Sequence, residues 1–398
     1  MKISQMEITP VAMPDPPLRN SVGVHQPVAL RVVVQLTTDD GLTGLGEAHG
    51  GSKRVESLHA ARAAVLGKDP FQLLALRSEI PDPQTFSPLE VACLDIQGQV
   101  LGRPVYDLLG GRVREEVPFS AYLFYKEERH PQYDGVDDWG EVLSPEAMVG
   151  EARRFIQEYG FGVLKLKGGV LPPDDEVETL RLLRHELGPE VGLRIDPNGI
   201  WSVDTSIRVA RDLESLGLEY YEDPTMGMEG MAAVRRETTI PLATNMCVTA
   251  FTHLRRMTQI EPVDVILVDH HVWGGLRDSV RLTQFCMDFG ISTSMHSNSH
   301  YGISLAAMLH LAGAMPELTY ACDTHYPWLE EDIVQGGPFA FRGGRLAVPT
   351  TPGLGVTLDP ERLERAAERY RRWGITDRDD AGEMRKRVPD WDPVVPRW

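Results

Sequence analysis

Positive charge is scarce in this chain. Its 58 Asp and Glu residues face 40 Lys and Arg, for a net charge of −18. That balance excludes a nucleic-acid or anionic-membrane surface, which needs clustered Lys and Arg. If the substrate is anionic, positive charge must be concentrated locally, from a few side chains or a bound cation. Cysteine is scarce too: Cys93, Cys247, Cys286 and Cys322 show no CxxC spacing, which excludes a disulfide framework and fits a reducing compartment. Long apolar runs are absent, so no membrane span of about 18 residues is predicted. The opening MKISQMEITPVAMPD carries charges and a proline where a secretory leader needs an apolar stretch. The expectation is a cytoplasmic protein.

What is present is enough apolar residue for a large core, 42% of 398 residues, in two domains or one large barrel with additions. Residues 27–48 read as a hairpin turning at Asp39-Asp40-Gly41. Residues 53–79 and 87–109 read as helices, the second closing on a glycine pair. From residue 116 the pattern changes. Eight β-rich runs (PFSAYLFY, GVLKLK, VGLRID, LEYYED, IPLATN, DVILVD, ISTSMH, LTYACD) alternate with helical stretches. The last polar residues of runs two to eight are Lys167, Asp196, Glu222, Asn245, Asp269, His296 and Asp323, in steps of 23 to 29 residues. One strand plus one helix of a (β/α)8 barrel takes about that length. The predicted architecture is α/β: a modified (β/α)8 TIM-type barrel over 116–340 and an α+β capping domain over 1–115. A C-terminal segment, 341–398, returns to that capping domain.

In such a barrel the C-terminal strand ends converge on one mouth, where active sites lie. A polar residue at a strand end is ordinarily a helix cap or turn former. Seven in succession at barrel spacing point to a site. Asp196, Glu222 and Asn245 offer oxygens from successive strands, a set that suits a hard cation such as Mg²⁺. Lys165 and Lys167 share one strand face, and burial beside a like charge is expected to lower a lysine pKa toward that of a general base. Asp269 on the strand beside His296 is placed to orient its imidazole and raise its basicity. His296 and His300 in SMHSNSHYG have the spacing of a helical zinc pair. Their helix is predicted to begin only near Tyr301, and Ser297 replaces the glutamate of HExxH, so that geometry is not expected.

Together these residues resemble the enolase superfamily, and within it the glucarate dehydratase subgroup. The likeness rests on GLTGLGE, LKLK, RIDPNG, EDP, ATNMCVT, VDHHVWGG, MHSNSHYGISL, ACDTHYPW and RDDAGEM, which span nearly the whole chain. Asparagine as third metal ligand is a feature of that subgroup. The resemblance implies Mg²⁺ held by Asp196, Glu222 and Asn245, with Lys167 and the His296–Asp269 pair as acid/base groups on opposite faces of a sugar diacid. It places Lys165 beside Lys167 and makes Asn198 a group that contacts substrate or intermediate. His25, Tyr122, Asn298, His325 and Arg378 resemble substrate-binding positions, and loops 14–30 and 126–142 sit where the family reads its substrate. The implied reaction is dehydration of D-glucarate or L-idarate to 5-dehydro-4-deoxy-D-glucarate through an enediolate, by a homo-oligomer acting on a small molecule. Epimerisation or dehydration of another acid sugar, a non-catalytic protein on the same fold and a zinc hydrolase built on HSNSH are the alternatives.

Overall fold

The computed structural model describes residues 1–132 and 138–398. Residues 133–137, part of the 126–142 loop, lie outside the described residues. Three antiparallel strands open the chain: β1 (Ile3–Pro14), β2 (Val28–Thr38) and β3 (Thr43–His49), in that order across the sheet. The hairpin turns where expected, with Gly41 at φ +85°. Strand β1 was not anticipated, because Pro10 and Pro14 break the pattern of a strand. It lies at the sheet edge, where a missing N–H costs no ladder bond.

The 53–79 stretch is two helices, Ser52–Val65 and Leu73–Glu79, divided at Gly67 and Pro70. The next helix runs from Pro83 to Leu101. Asp82 caps its start, and it ends at Gly102 (φ +64°), before the expected glycine pair. A short turn of helix, Val105–Leu108, precedes that pair. The Pro83–Leu101 helix crosses the sheet so closely that a Cβ at Gly44 or Gly46 would stand 2.0 Å from the carbonyls of Ala92 or Pro88. Only glycine fits at those two positions.

All eight barrel strands form: β4 (Glu116–Phe124), β5 (Val163–Lys167), β6 (Gly192–Asp196), β7 (Tyr220–Glu222), β8 (Leu242–Thr244), β9 (Val265–Val268), β10 (Ser292–Met295) and β11 (Cys322–Thr324). They pair in parallel from β4 through to β10, and β11 pairs with β4. The remaining seam, between β10 and β11, is closed by other bonds. Thr293 accepts from Thr319 N at 3.1 Å, and its hydroxyl donates to Glu317 O at 2.8 Å. Ser294 donates to Ala321 O at 2.8 Å. A last strand, β12 (Arg345–Ala347), lies antiparallel on β4. The helix Pro360–Trp373 packs against β1, with Arg369 donating to Ala12 O at 3.1 Å.

Helix Gly302–Ala314 is buried along its whole length between the two halves of the chain. Glu47 of β3 accepts from the backbone N–H of Tyr301 and Ser304 at its start, both at 2.9 Å, so the cap sheet supplies the anion that a helix N-terminus favours. Glu90 likewise reaches the start of helix Leu276–Asp288, accepting from Leu276 N at 2.5 Å, but as a carboxyl that is largely protonated at neutral pH. Burial pushes the Glu90 carboxyl up to about 8. A raised carboxyl contributes stability that is full below its unfolded value, about 4.5, and is lost as pH rises through about 8. The melting temperature of the protein should therefore fall relative to that of Glu90→Gln, by several degrees, between pH 5 and pH 8. A pH-independent gap by calorimetry would contradict this.

Candidate active site

The ends of β6, β7 and β8 bring Asp196, Glu222 and Asn245 to adjoining positions at the mouth. Glu222 Oε1 and Asn245 Oδ1 are buried acceptors that no donor among the described residues reaches. Asp196 is buried as well, accepting from Asn198 N at 2.9 Å and Asn198 Nδ2 at 3.2 Å. Two orphaned oxygens beside a buried carboxylate, with no sulfur or imidazole among them, fit a hard cation. Asn198 makes both its bonds from a left-handed backbone (φ +52°), which asparagine tolerates better than most residues. Asp223, also at positive φ, braces Asn245 by accepting from Asn245 N at 2.9 Å and from the Thr244 hydroxyl.

Lys165 and Lys167 share the inward face of β5, as the alternation predicts. Lys167 sits nearer the mouth and donates to Asp196. Lys165 is fully buried below it, donating to Glu222 and Asp323. The expected lowering is not found at Lys165. Burial does work to lower its pKa, but the Asp323, Glu222 and Asp196 carboxylates outweigh that and hold it above the ordinary value. Asp323 is the reason. It does not face the mouth but points into the barrel, bridging Lys165 and Arg194, which in turn pairs with Glu219 at 2.6 Å. Burial works to raise the Asp196 carboxyl, and Lys167 and Lys165 outweigh it, so it lies below the usual range.

Across the mouth, His296 follows β10 and Asp269 follows β9. His296 Nδ1 lies 3.0 Å from Asp269 Oδ2, which leaves Nε2 as the free ring nitrogen. The other carboxylate oxygen of Asp269 is taken by a residue that sequence reasoning missed. His271 approaches Oδ1 with both its backbone N and its Nδ1, each at 2.9 Å. Burial would raise the Asp269 carboxyl, but His271 and His296 hold it well below the carboxylate range. The paired histidines of VDHHVWGG were the available signal. His300 belongs to the scaffold: it is buried, with Nε2 3.0 Å from the Ser297 hydroxyl, and it lies in the loop before the helix. No zinc pair forms with His296.

A cavity of about 520 Å³ opens over these groups. Lys167, Asn198 and His296 line it, as do all five expected substrate contacts: His25, Tyr122, Asn298, His325 and Arg378. Tyr122 donates its hydroxyl to Ser297 O at 2.8 Å and lays its ring beneath both lysines, 4.8 Å from Lys165 Nζ and 5.5 Å from Lys167 Nζ. His25 bonds Asp15 at 3.0 Å and stacks on His325. Burial pushes the His325 imidazole down to about 3, so it is neutral at pH 7. Arg378 reaches the cavity from the C-terminal tail and is held there by both oxygens of Asp380. Asp15, Arg31 and His49 line a smaller neighbouring cavity that shares Asn298 and Arg378 with this one, and they carried no sequence signal because only the fold brings the cap sheet to the barrel.

The mouth of this eight-stranded barrel thus gathers three oxygen-bearing side chains, a lysine and a histidine–carboxylate pair, and that arrangement has counterparts in a known class of proteins. Residues 147–362 match the enolase C-terminal domain-like family, and residues 3–110 match the mandelate racemase/muconate lactonizing enzyme N-terminal domain. The chain belongs to the enolase superfamily. Within it, it is glucarate dehydratase-like, a hydro-lyase. It is 45% identical to a probable glucarate dehydratase of Streptomyces coelicolor, over 100% of this chain and 99% of the relative. A Mycobacterium smegmatis enolase complexed with tartrate is 52% identical, with a TM-score of 0.97 over 100% of this chain and 98% of that one. A Pseudomonas fluorescens enolase with bound magnesium, potassium and tartrate is 44% identical, with a TM-score of 0.97 over 100% and 99% of the two chains.

Proposed function

We propose that this enzyme dehydrates D-glucarate, and its epimer L-idarate, to 5-dehydro-4-deoxy-D-glucarate and water, with Mg²⁺ as cofactor. The observation that carries the reading is the placement of two proton-transfer groups on one cavity. Lys167 on β5 and His296 after β10 have two strands between them one way round the ring (β4 and β11) and four the other (β6 to β9), and both line the cavity. A substrate carbon between them is open to a base on either face. That suits two substrates that differ only in configuration at that carbon.

Mg²⁺ on Asp196, Glu222 and Asn245 would supply the positive charge that lets a proton beside a carboxylate leave. The chain's own groups do the rest. His296 Nε2, its ring fixed by Asp269, takes the α-proton of D-glucarate from one face, and Lys167 takes that of L-idarate from the other. Lys165 adds fixed positive charge from below. With D-glucarate, His296 gives the proton it has just taken to the departing 4-hydroxyl, which leaves as water; with L-idarate, where the first proton goes to Lys167, a His296 that starts protonated gives it. His25, Asn298, His325 and Arg378 lie where the distal end of a six-carbon diacid would reach. The tartrate held by the Mycobacterium smegmatis and Pseudomonas fluorescens relatives is a shorter hydroxy diacid, which supports that ligand class.

The test is a panel of acid sugars with Mg²⁺, scored for 2-keto acid. D-glucarate and L-idarate should give one common product. Keto acid from a different diacid alone would overturn the substrate and leave a dehydratase. The two facing bases also favour epimerisation as a side reaction, which deuterium uptake at C5 without water loss would report.

A further inference from the structure

We propose that His271, held by Arg31, is a positioning residue that sets the base strength of His296 through the carboxylate they share. The argument begins with protons. A guanidinium only donates, and Arg31 Nη2 lies 3.0 Å from His271 Nε2. That nitrogen therefore carries a lone pair. Ser304 Oγ, 2.8 Å from Nε2, accepts from Arg31 Nη2 at 3.2 Å, so the same guanidinium nitrogen holds the ring and the hydroxyl beside it. His271 is thus the neutral tautomer with its hydrogen on Nδ1, and that N–H donates to Asp269 Oδ1.

Asp269 then serves three N–H donors: His271 N, His271 Nδ1 and His296 Nδ1. Charge drawn toward Oδ1 is charge not offered to His296, so a carboxylate shared in this way is a weaker partner than one serving His296 alone. Arg31 comes from β2 and is itself paired with Glu47 of β3 at 2.7 Å, both buried. The cap sheet therefore reaches the base of the barrel through a fixed chain of bonds.

The other titratable groups around His271 are His270 and His49, with rings 4.0 and 4.7 Å away, and His300. Burial, then neighbouring positive charge, holds His270 and His49 well below the usual histidine value, and burial brings His300 to about 4. These three stay neutral near pH 7. Asp269, Arg31 and Glu47 are then the fixed charges that face the pair.

The inference rests on the reading of His296 as a base, and its test is arranged to separate the two. In His271→Asn the amide N–H stands where Nδ1–H did and still reaches Asp269. In His271→Gln the amide oxygen can replace Nε2 toward Arg31, but nothing donates at the Nδ1 place. The His296 ring is titrated by NMR in Mg²⁺-loaded, substrate-free, histidine-labelled protein, its signal assigned by its loss in His296→Asn. His271→Gln should bind the His296 proton about tenfold more tightly than the unmodified protein, and His271→Asn should match it within about twofold. The acid limb of kcat/KM should move to higher pH in His271→Gln alone. Equal titration in all three proteins, or equal shifts in both variants, would overturn the proposal. The expected titration shift without turnover of any acid sugar would support the positioning and remove the base.

Discussion

His296→Asn should lower turnover of D-glucarate by about 10³-fold or more while Mg²⁺ binds as tightly as before. The residue is separate from the cation site: the Asp196, Glu222 and Asn245 oxygens come from β6, β7 and β8, and His296 follows β10. Asparagine keeps an N–H that can bond Asp269, so the loop should hold its place. What it lacks is the Nε2 lone pair facing the cavity. The loss should not be uniform across substrates. With L-idarate the first proton goes to Lys167, so exchange of the α-proton with deuterium oxide should persist in the variant although dehydration fails. NMR of recovered L-idarate reads that exchange directly. Full turnover of D-glucarate by His296→Asn would remove the acid/base assignment, whatever the metal does.

The barrel was legible because its strands end on residues a core rejects, and the polar ends recur at one spacing. Ten of the thirteen expected site residues lie on the barrel strands or just past their ends; His25, Asn298 and Arg378 come from loops and the tail. The support behind them was not legible. Arg31 and His271 are 240 residues apart and meet only because the cap sheet folds over the mouth. Lys165 shows why a correct face can still mislead about charge. Alternation along β5 places it beside Lys167, yet its titration is governed by Glu222 and Asp323, whose contact follows from barrel closure. Asp323 has the same place in the sequence rhythm as the mouth residues but turns inward, and the rhythm does not record which way a strand end points.

Loss of the cation site should have an equally large effect, and stability should report it as well as rate. Glu222 Oε1 and Asn245 Oδ1 are buried acceptors without a donor among the described residues. Each such group costs about 1–3 kcal/mol, and a cation that satisfies both returns that energy to the folded state alone. Saturating Mg²⁺ should therefore raise the melting temperature of the protein, and chelation should lower it and abolish activity that Mg²⁺ then restores. Asn245→Leu removes one orphaned acceptor together with one ligand. It should melt near or above the Mg²⁺-free protein, bind Mg²⁺ at least about tenfold more weakly by calorimetry and gain little from added Mg²⁺. Glu222→Gln removes a charge that Lys165 also uses, so it should lose Mg²⁺ affinity and be less stable with or without the ion. The opposed effects of the two variants on the ion-free protein separate this account from general damage at the mouth. If Asn245→Leu bound Mg²⁺ as tightly as the unmodified protein, the ligand set would be wrong. Restoration by Zn²⁺ and not by Mg²⁺ after chelation would bring back the hydrolase reading, which these all-oxygen ligands do not favour.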